Sequence, residues 1–126
     1  MHKIHLRKPW SILVDGERWI ERVDIPETEA SSSSDETQLH VYHRKFNATQ
    51  AVLDSEVQLR IDQWHGDLIA IELNDQPVDF LVTTPTELLA NLSGQLRSHN
   101  EIRIFLARGV ESVPRLSGNV YLTLVE

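Results

Sequence analysis

Glu56-Val57-Gln58-Leu59-Arg60-Ile61-Asp62 is the stretch that decides the fold class. Aliphatic and polar residues alternate through it without a break. That period of two belongs to a β-strand buried on one face, because successive side chains leave the pleat on opposite sides. The same period returns three times. Ile69, Ile71 and Leu73 alternate with Ala70 and Glu72, and Ile102, Ile104 and Leu106 alternate with Arg103 and Phe105. Val120, Leu122 and Leu124 alternate with Tyr121, Thr123 and Val125; there both faces are largely apolar, so this last strand is expected to be central or covered. Leu59, Ile61, Ile69, Ile71, Leu73, Ile102, Ile104, Leu106, Leu122 and Leu124 are accordingly the expected core.

Turn chemistry separates these runs. Asp15-Gly16 stands between Ile12-Leu13-Val14 and Arg18-Trp19-Ile20 and reads as a tight hairpin. Trp64-His65-Gly66-Asp67, Asn74-Asp75-Gln76-Pro77, the segment 109–114 and Ser117-Gly118-Asn119 mark further turns. Many short strands with frequent turns indicate a sandwich or barrel. The expectation is an all-β fold, an antiparallel β-sandwich of two sheets with eight or nine strands. One helix is added to it. Thr84-Pro85-Thr86-Glu87 has the form of a capping box with proline at the first helical position, and Leu88, Leu89 and Leu92 follow at helical spacing. A short helix is expected to start after Thr84.

The 126 residues suit one domain, 1–126. Within it, positions 26–37 run Pro-Glu-Thr-Glu-Ala-Ser-Ser-Ser-Ser-Asp-Glu-Thr, with four acids, no base and almost nothing to bury. This reads as a flexible Ser-rich acidic surface loop, and replacement of Ala30 to Glu36 by a short Gly-Ser link is expected to be tolerated. Apolar residues make up 40% of the chain and charged residues 25%, as in ordinary globular proteins. A net charge of −7 speaks against nucleic acid as partner, since phosphate binding needs a positive footprint. With no cysteine, disulfides and thiolate metal sites are excluded. The basic N-terminal residues lead into no apolar run, so no secretory signal is expected and a cytoplasmic location is; no stretch is apolar and long enough for a membrane partner.

From Trp10 onward the order of features resembles the jelly-roll, galactose-binding-like domain that precedes the catalytic barrel in β-galactosidases and β-glucuronidases. Leu6-Arg7-Lys8-Pro9-Trp10 matches the family's opening strand ending in Trp, and Val23-Asp24-Ile25-Pro26 its strand leading to a Pro. Val41-Tyr42-His43-Arg44-Lys45-Phe46 matches the strand carrying Tyr, Arg and Phe. Ile71-Glu72-Leu73-Asn74-Asp75-Gln76-Pro77-Val78 matches the hairpin V-x-L-N-G-x-x-V, with Asp75 in place of Gly, and Asn100-Glu101-Ile102-Arg103-Ile104 matches N-x-L-x-V. The resemblance implies the sandwich and a sugar-related setting. It implies no activity, because the domain type lacks the family's catalytic pair and function resides in sites rather than folds.

Motifs for catalysis are missing from the pattern. The serines cluster in the acidic loop without a nucleophile elbow, and no motif places two carboxylates across a sugar. No metal site and no cofactor are expected: His40 and His43, at odd spacing, point to opposite faces of one strand and cannot chelate one ion by themselves, nor can His2 and His5 if that segment is extended. Tyr42, Arg44 and Phe46 share a face, where Arg44 is expected to pair with a carboxylate. Sugar recognition would need an aromatic face against the C–H face of a pyranose. Trp10 and Trp19 flank the hairpin and read as core. Trp64, at a strand end beside His65 and Asp67, combines a stacking platform with hydrogen-bonding groups, and these three are the expected ligand site. The function expected is therefore a non-catalytic carbohydrate-binding or accessory module. The alternatives are a protein-interaction β-domain with pairing edge strands, or a detached subunit completing a glycoside hydrolase on another chain.

Overall fold

The computed structural model describes residues 2–27, 38–85, 87–110 and 112–125. The residues 28–37, which hold most of the Ser-rich acidic stretch, lie outside the described residues. Two antiparallel sheets face each other. The first holds β1 (His2–His5), β5 (Glu56–Ile61), β8 (Phe80–Thr84), β9 (Glu87–Asn91) and β11 (Val120–Val125), in the order β1-β11-β5-β9-β8. The second holds β2 (Trp10–Val14), β3 (Arg18–Val23), β4 (Leu39–Asn47), β6 (Asp67–Leu73), β7 (Gln76–Pro77) and β10 (His99–Ala107), in the order β3-β2-β4-β10-β6-β7. The expected all-β sandwich is the one found, with eleven described strands rather than eight or nine. The additional ones include the two-residue β7 and the N-terminal β1, too short to show a period.

The core is the space between the sheets. Val57, Leu59 and Ile61 from β5 face it, as do Ile102, Ile104 and Leu106 from β10 and Val120, Leu122 and Leu124 from β11. Strand β11 lies between β1 and β5 and is buried along all but its last residue, as its two apolar faces imply. Of the ten expected core residues only Ile69 is outside, at 56% exposure. The cause is a bulge. Opposite β6, Phe105 pairs with Ala70 but Leu106 pairs with Leu68, so Ile69 is the extra residue. An extra residue reverses the inward parity of everything beyond it, and Leu68 takes the place that alternation assigned to Ile69.

The helix expected after Thr84 is not formed. Glu87–Asn91 is strand β9, whose Leu88 and Ala90 face inward opposite Ile61 and Leu59 of β5. Leu88, Leu89 and Leu92 fit a helix, but Leu88, Ala90 and Leu92 fit a strand equally well, and all three of these are buried. Pairing with β5, whose inward residues Leu59 and Ile61 are fully buried, outweighs a local capping preference of about 1 kcal/mol. The helix that does form, α1 (Gln50–Leu53), crosses from β4 to β5; Thr49 caps it by accepting from the Val52 N–H at 3.4 Å. Two hairpin turns use left-handed backbone. Asp15 and Gly16 have φ of 54° and 72°, and Asn74 and Asp75 have 52° and 66°, so Asp75 takes the conformation usually left to glycine. Among the described residues no helix is long and apolar enough to cross a membrane.

Candidate functional site

The hairpin register places one tryptophan inside and one outside. Trp10, Ile12 and Val14 alternate inward on β2 and are buried. Across the turn Val14 pairs with Arg18 and Leu13 with Trp19, so Trp19 shares the outer face with Leu13. It is 49% exposed, which corrects the expectation that both hairpin tryptophans belong to the core. The length of the turn decides this: two residues would set Val14 opposite Glu17 and Trp19 opposite the inward Ile12, whereas the three-residue turn that forms sets Val14 opposite Arg18 and Trp19 outward.

Four strands build a cleft of about 410 Å³ around that indole, on the outer face of the six-stranded sheet. Its wall includes Ser11 of β2, Trp19 and Glu21 of β3, His43 and Lys45 of β4, and Glu101 of β10. Trp19 meets the His43 ring edge-on, with centroids 4.8 Å apart. Ser11 donates its hydroxyl to Glu21 at 2.7 Å. The His43 Nδ1 lies 3.7 Å from Glu101, and its Nε2 is buried without a partner among the described residues. Burial, aided by the Arg103 guanidinium, pulls the His43 pKa below its usual value against the opposing pull of Glu101. Arg103 in turn holds Glu101 at 2.7 Å and Asp75 at 2.9 Å, with Glu72 at 3.5 Å, which fixes the floor beside the cleft. The result is an exposed aromatic face on a rigid sheet, flanked by hydroxyl, carboxylate, imidazole and ammonium groups. Such a set can take a ring with an apolar face and a hydroxylated rim.

The expected loop site is arranged differently. Trp64 is half-buried and packs against the core. Strand β5 ends at Ile61, and residues 62–65 are tied instead to the 115–119 segment: Asp62 donates to Asn119, Gly118 to Gln63, and His65 and Arg115 exchange backbone bonds of 2.8 and 3.1 Å. The Arg115 guanidinium lies 2.8 Å from His65 Nε2, which occupies that ring nitrogen. Gly66 (φ 94°) passes so close that a Cβ would stand 2.5 Å from the Ala107 carbonyl oxygen. Asp67 is exposed at the start of β6. Trp64, His65 and Asp67 are thus neighbours along a packed turn, with His65 engaged by Arg115 and Trp64 turned toward the core.

Behind this turn lies a polar cluster that the alternation did not reveal. Tyr42 and His40, both fully buried on the inner face of β4, meet Glu27, which is 4% exposed. Tyr42 donates its hydroxyl to Glu27 Oε1, which also accepts the Leu116 N–H at 2.9 Å; His40 Nδ1 lies 3.2 Å from the Tyr42 hydroxyl. Burial first, then the Glu27 carboxylate, pushes the Tyr42 pKa far above its usual value, so Tyr42 stays a proton donor. Arg44, on the same face, donates to the Lys45 carbonyl; the carboxylate partner expected for it is not found among the described residues. The odd spacing of His40 and His43 does place them on opposite faces, and among the described residues no group of three acids or histidines is arranged to hold a metal ion.

His40 gives the fold a pH dependence. Burial lowers its pKa below 6.5, against the pull of Glu27 and Asp15. The unfolded chain therefore binds a proton at His40 more readily than the folded one. This stability is complete above about pH 6.5 and is lost as pH falls below it, toward the folded pKa. His43, shifted the same way, adds to it. Thermal melts from about pH 7.5 to 5 are expected to show a falling Tm. The slope should shrink when His40 and His43 are both replaced by Gln, and an unchanged slope would assign it to other groups.

No protein-family model matches the chain, and no curated protein matches it in sequence. Solved structures do match in fold. A β-glucuronidase from Bacteroides uniformis superposes with a TM-score of 0.78 over 98% of this chain and 18% of that one, at 16% identity. A β-D-mannosidase from Dictyoglomus thermophilum superposes at 0.69 over 98% of this chain and 23% of that one, at 14% identity. The fold implied by the resemblance is the fold found. The chain spans about a fifth of the length of these glycosidases, so it corresponds to a small part of such an enzyme.

Proposed function

We propose that this chain is a non-catalytic carbohydrate-binding or accessory module, and that the Trp19 cleft is where it holds a sugar. The observation that carries the reading is the half-exposed indole set among hydrogen-bonding side chains in a cleft of about 410 Å³. An indole face suits the apolar face of a pyranose, while Ser11, Glu21 and Glu101 reach its hydroxyls. The solved structures that share the fold are glycosidases, which supports a sugar-related setting. The Trp64, His65 and Asp67 turn is the second place for a ligand, with the exposed Asp67 in its favour and the Arg115 contact at His65 against it.

Titrating neutral and acidic mono- and oligosaccharides while following tryptophan fluorescence separates the two places. Trp19→Ala is expected to weaken binding at least ~10-fold, about 1.4 kcal/mol, while Trp64→Ala binds as the parent does. Binding lost in Trp64→Ala and kept in Trp19→Ala moves the site to the turn. A parent that responds to no sugar removes the carbohydrate reading and favours the alternative, a protein-interaction domain or a subunit completing a glycoside hydrolase on another chain.

A further inference from the structure

The bases of this chain are not spread evenly. The sequence holds 19 acids and 12 bases, yet residues 2–14 carry Lys3, Arg7 and Lys8, residues 38–53 carry Arg44 and Lys45, and neither stretch has an acid. The fold sets these two stretches on either side of one opening. Strand β2 pairs with β4 only as far as Ser11 opposite His43, so from Arg44 to Asn47 β4 is paired on its β10 side alone. The chain before β2 belongs to the other sheet, where β1 is the edge beside β11. Between β1 and the free end of β4 lies a cleft of about 330 Å³.

Most of its wall is apolar. Leu6, Val52 and Leu122, all buried, line it together with Phe46 and the more exposed Ile4. Arg44, Lys45 and His5 are its charged or titratable groups, and no acid lines it among the described residues. Arg44 faces inward with Tyr42, opposite the buried Ile102. Its Nη1 donates to the Lys45 carbonyl, and its Nε is buried with no partner among the described residues. Burial alone shifts its pKa, downward, with no carboxylate raising it back. The guanidinium is still charged at neutral pH. A part-buried charge with no counter-ion and an idle donor is costly, and an anion seated beside it would relieve both.

We propose that this cleft binds a small monocarboxylate with an apolar body, its carboxylate on the Arg44 guanidinium and its body against Ile4, Leu6, Phe46 and Val52. The charge pattern selects the occupant. The guanidinium fork matches a planar carboxylate, and the apolar walls favour one charge over the two of a phosphate. The volume sets the size. At about 30 Å³ for each non-hydrogen atom, as in liquid water, the cleft holds about ten of them, the size of octanoate. This inference does not rest on the sugar reading. Trp19 lines the cleft on the outer face of the sheet and not this one, although Arg44 and Lys45 border both.

Calorimetric titration of the chain with octanoate, 1-octanol and acetate, each to about 1 mM, tests it. The parent is expected to bind octanoate at least ~10-fold tighter than 1-octanol, which has the body without the charge, and than acetate, which has the charge without the body. Arg44→Gln should bring octanoate down to the level of 1-octanol. Arg44→Lys, which keeps the charge and loses the fork, should fall between the two. Ile4→Trp, on the β1 edge, should fill the cleft and weaken octanoate, while Trp19→Ala binds it as the parent does. The comparison of three ligands in the parent needs no variant, so it decides even where Arg44→Gln fails to fold. A parent that does not bind octanoate overturns the proposal, as does equal affinity for octanoate and 1-octanol, or octanoate binding unchanged in Arg44→Gln. Binding lost in Trp19→Ala and kept in Ile4→Trp would put the acid in the outer cleft, which overturns it too.

Discussion

Truncating Ile104 to alanine is expected to cost about 2–5 kcal/mol of folding free energy. Ile104 is fully buried in the middle of β10, the longest strand of the six-stranded sheet together with β4. It pairs with Tyr42 of β4 on one side and Ile71 of β6 on the other, both buried. The two neighbouring strands, β4 and β6, hold the walls of the cavity that the missing atoms would leave, so the site cannot collapse to fill it, and the cost belongs in the upper half of that range. Leu59→Ala, fully buried at the centre of the opposite sheet, is expected to behave alike. Urea unfolding of both variants checks this. A loss below about 0.5 kcal/mol at both would mean that the inward faces have been assigned to the wrong side.

Glu27→Ala is expected to be almost as damaging, for a different reason. The Glu27 side chain takes up the Tyr42 hydroxyl and the Leu116 N–H, both buried. Its own N–H donates to the Leu116 carbonyl at 2.7 Å, so Glu27 holds Leu116 from both its backbone and its side chain. Alanine leaves two buried donors without that acceptor, at about 1–3 kcal/mol each. Tyr42→Phe removes one of the donors instead and should cost less than Glu27→Ala. Denaturant melts of the two variants decide the order. Equal or reversed losses would mean that the Glu27 side chain is held by groups other than these.

The same two residues show where sequence reading stops. Tyr42, Arg44 and Phe46 are legible as sharing a face, because strand parity is local. That Tyr42 would find an acid from position 27 is not legible, since the acid arrives from a segment outside the strand pattern and the contact spans fifteen residues. Ile69 teaches the complementary lesson. Its alternation with Ile71 is regular in the sequence, and only the pairing with β10 reveals the bulge that expels it. At Trp19 the parity of Trp10, Ile12 and Val14 was legible, but the outcome turned on whether two or three residues make the turn, which only the pairing of Val14 with Arg18 decides. Trp64, at a strand end, is half-buried and packs against the core.

By itself the sequence determined what depends on neighbours along the chain. Period-two alternation at Val57, Ile71, Ile104 and Leu122 set the strands and most inward faces, and the Asp15-Gly16 and Asn74-Asp75 pairs set two hairpins, because turn geometry needs only the residues that make it. The tertiary structure alone decided which strands became edges, where the bulge fell, that Glu87–Asn91 pairs as a strand instead of winding into a helix, and which tryptophan faces water. Each of these turns on a competition between a local preference of about 1 kcal/mol and the burial of whole side chains against a distant strand, worth about 1.5–3 kcal/mol apiece. Where the two disagree, the distant partner prevails, and no window of sequence contains it.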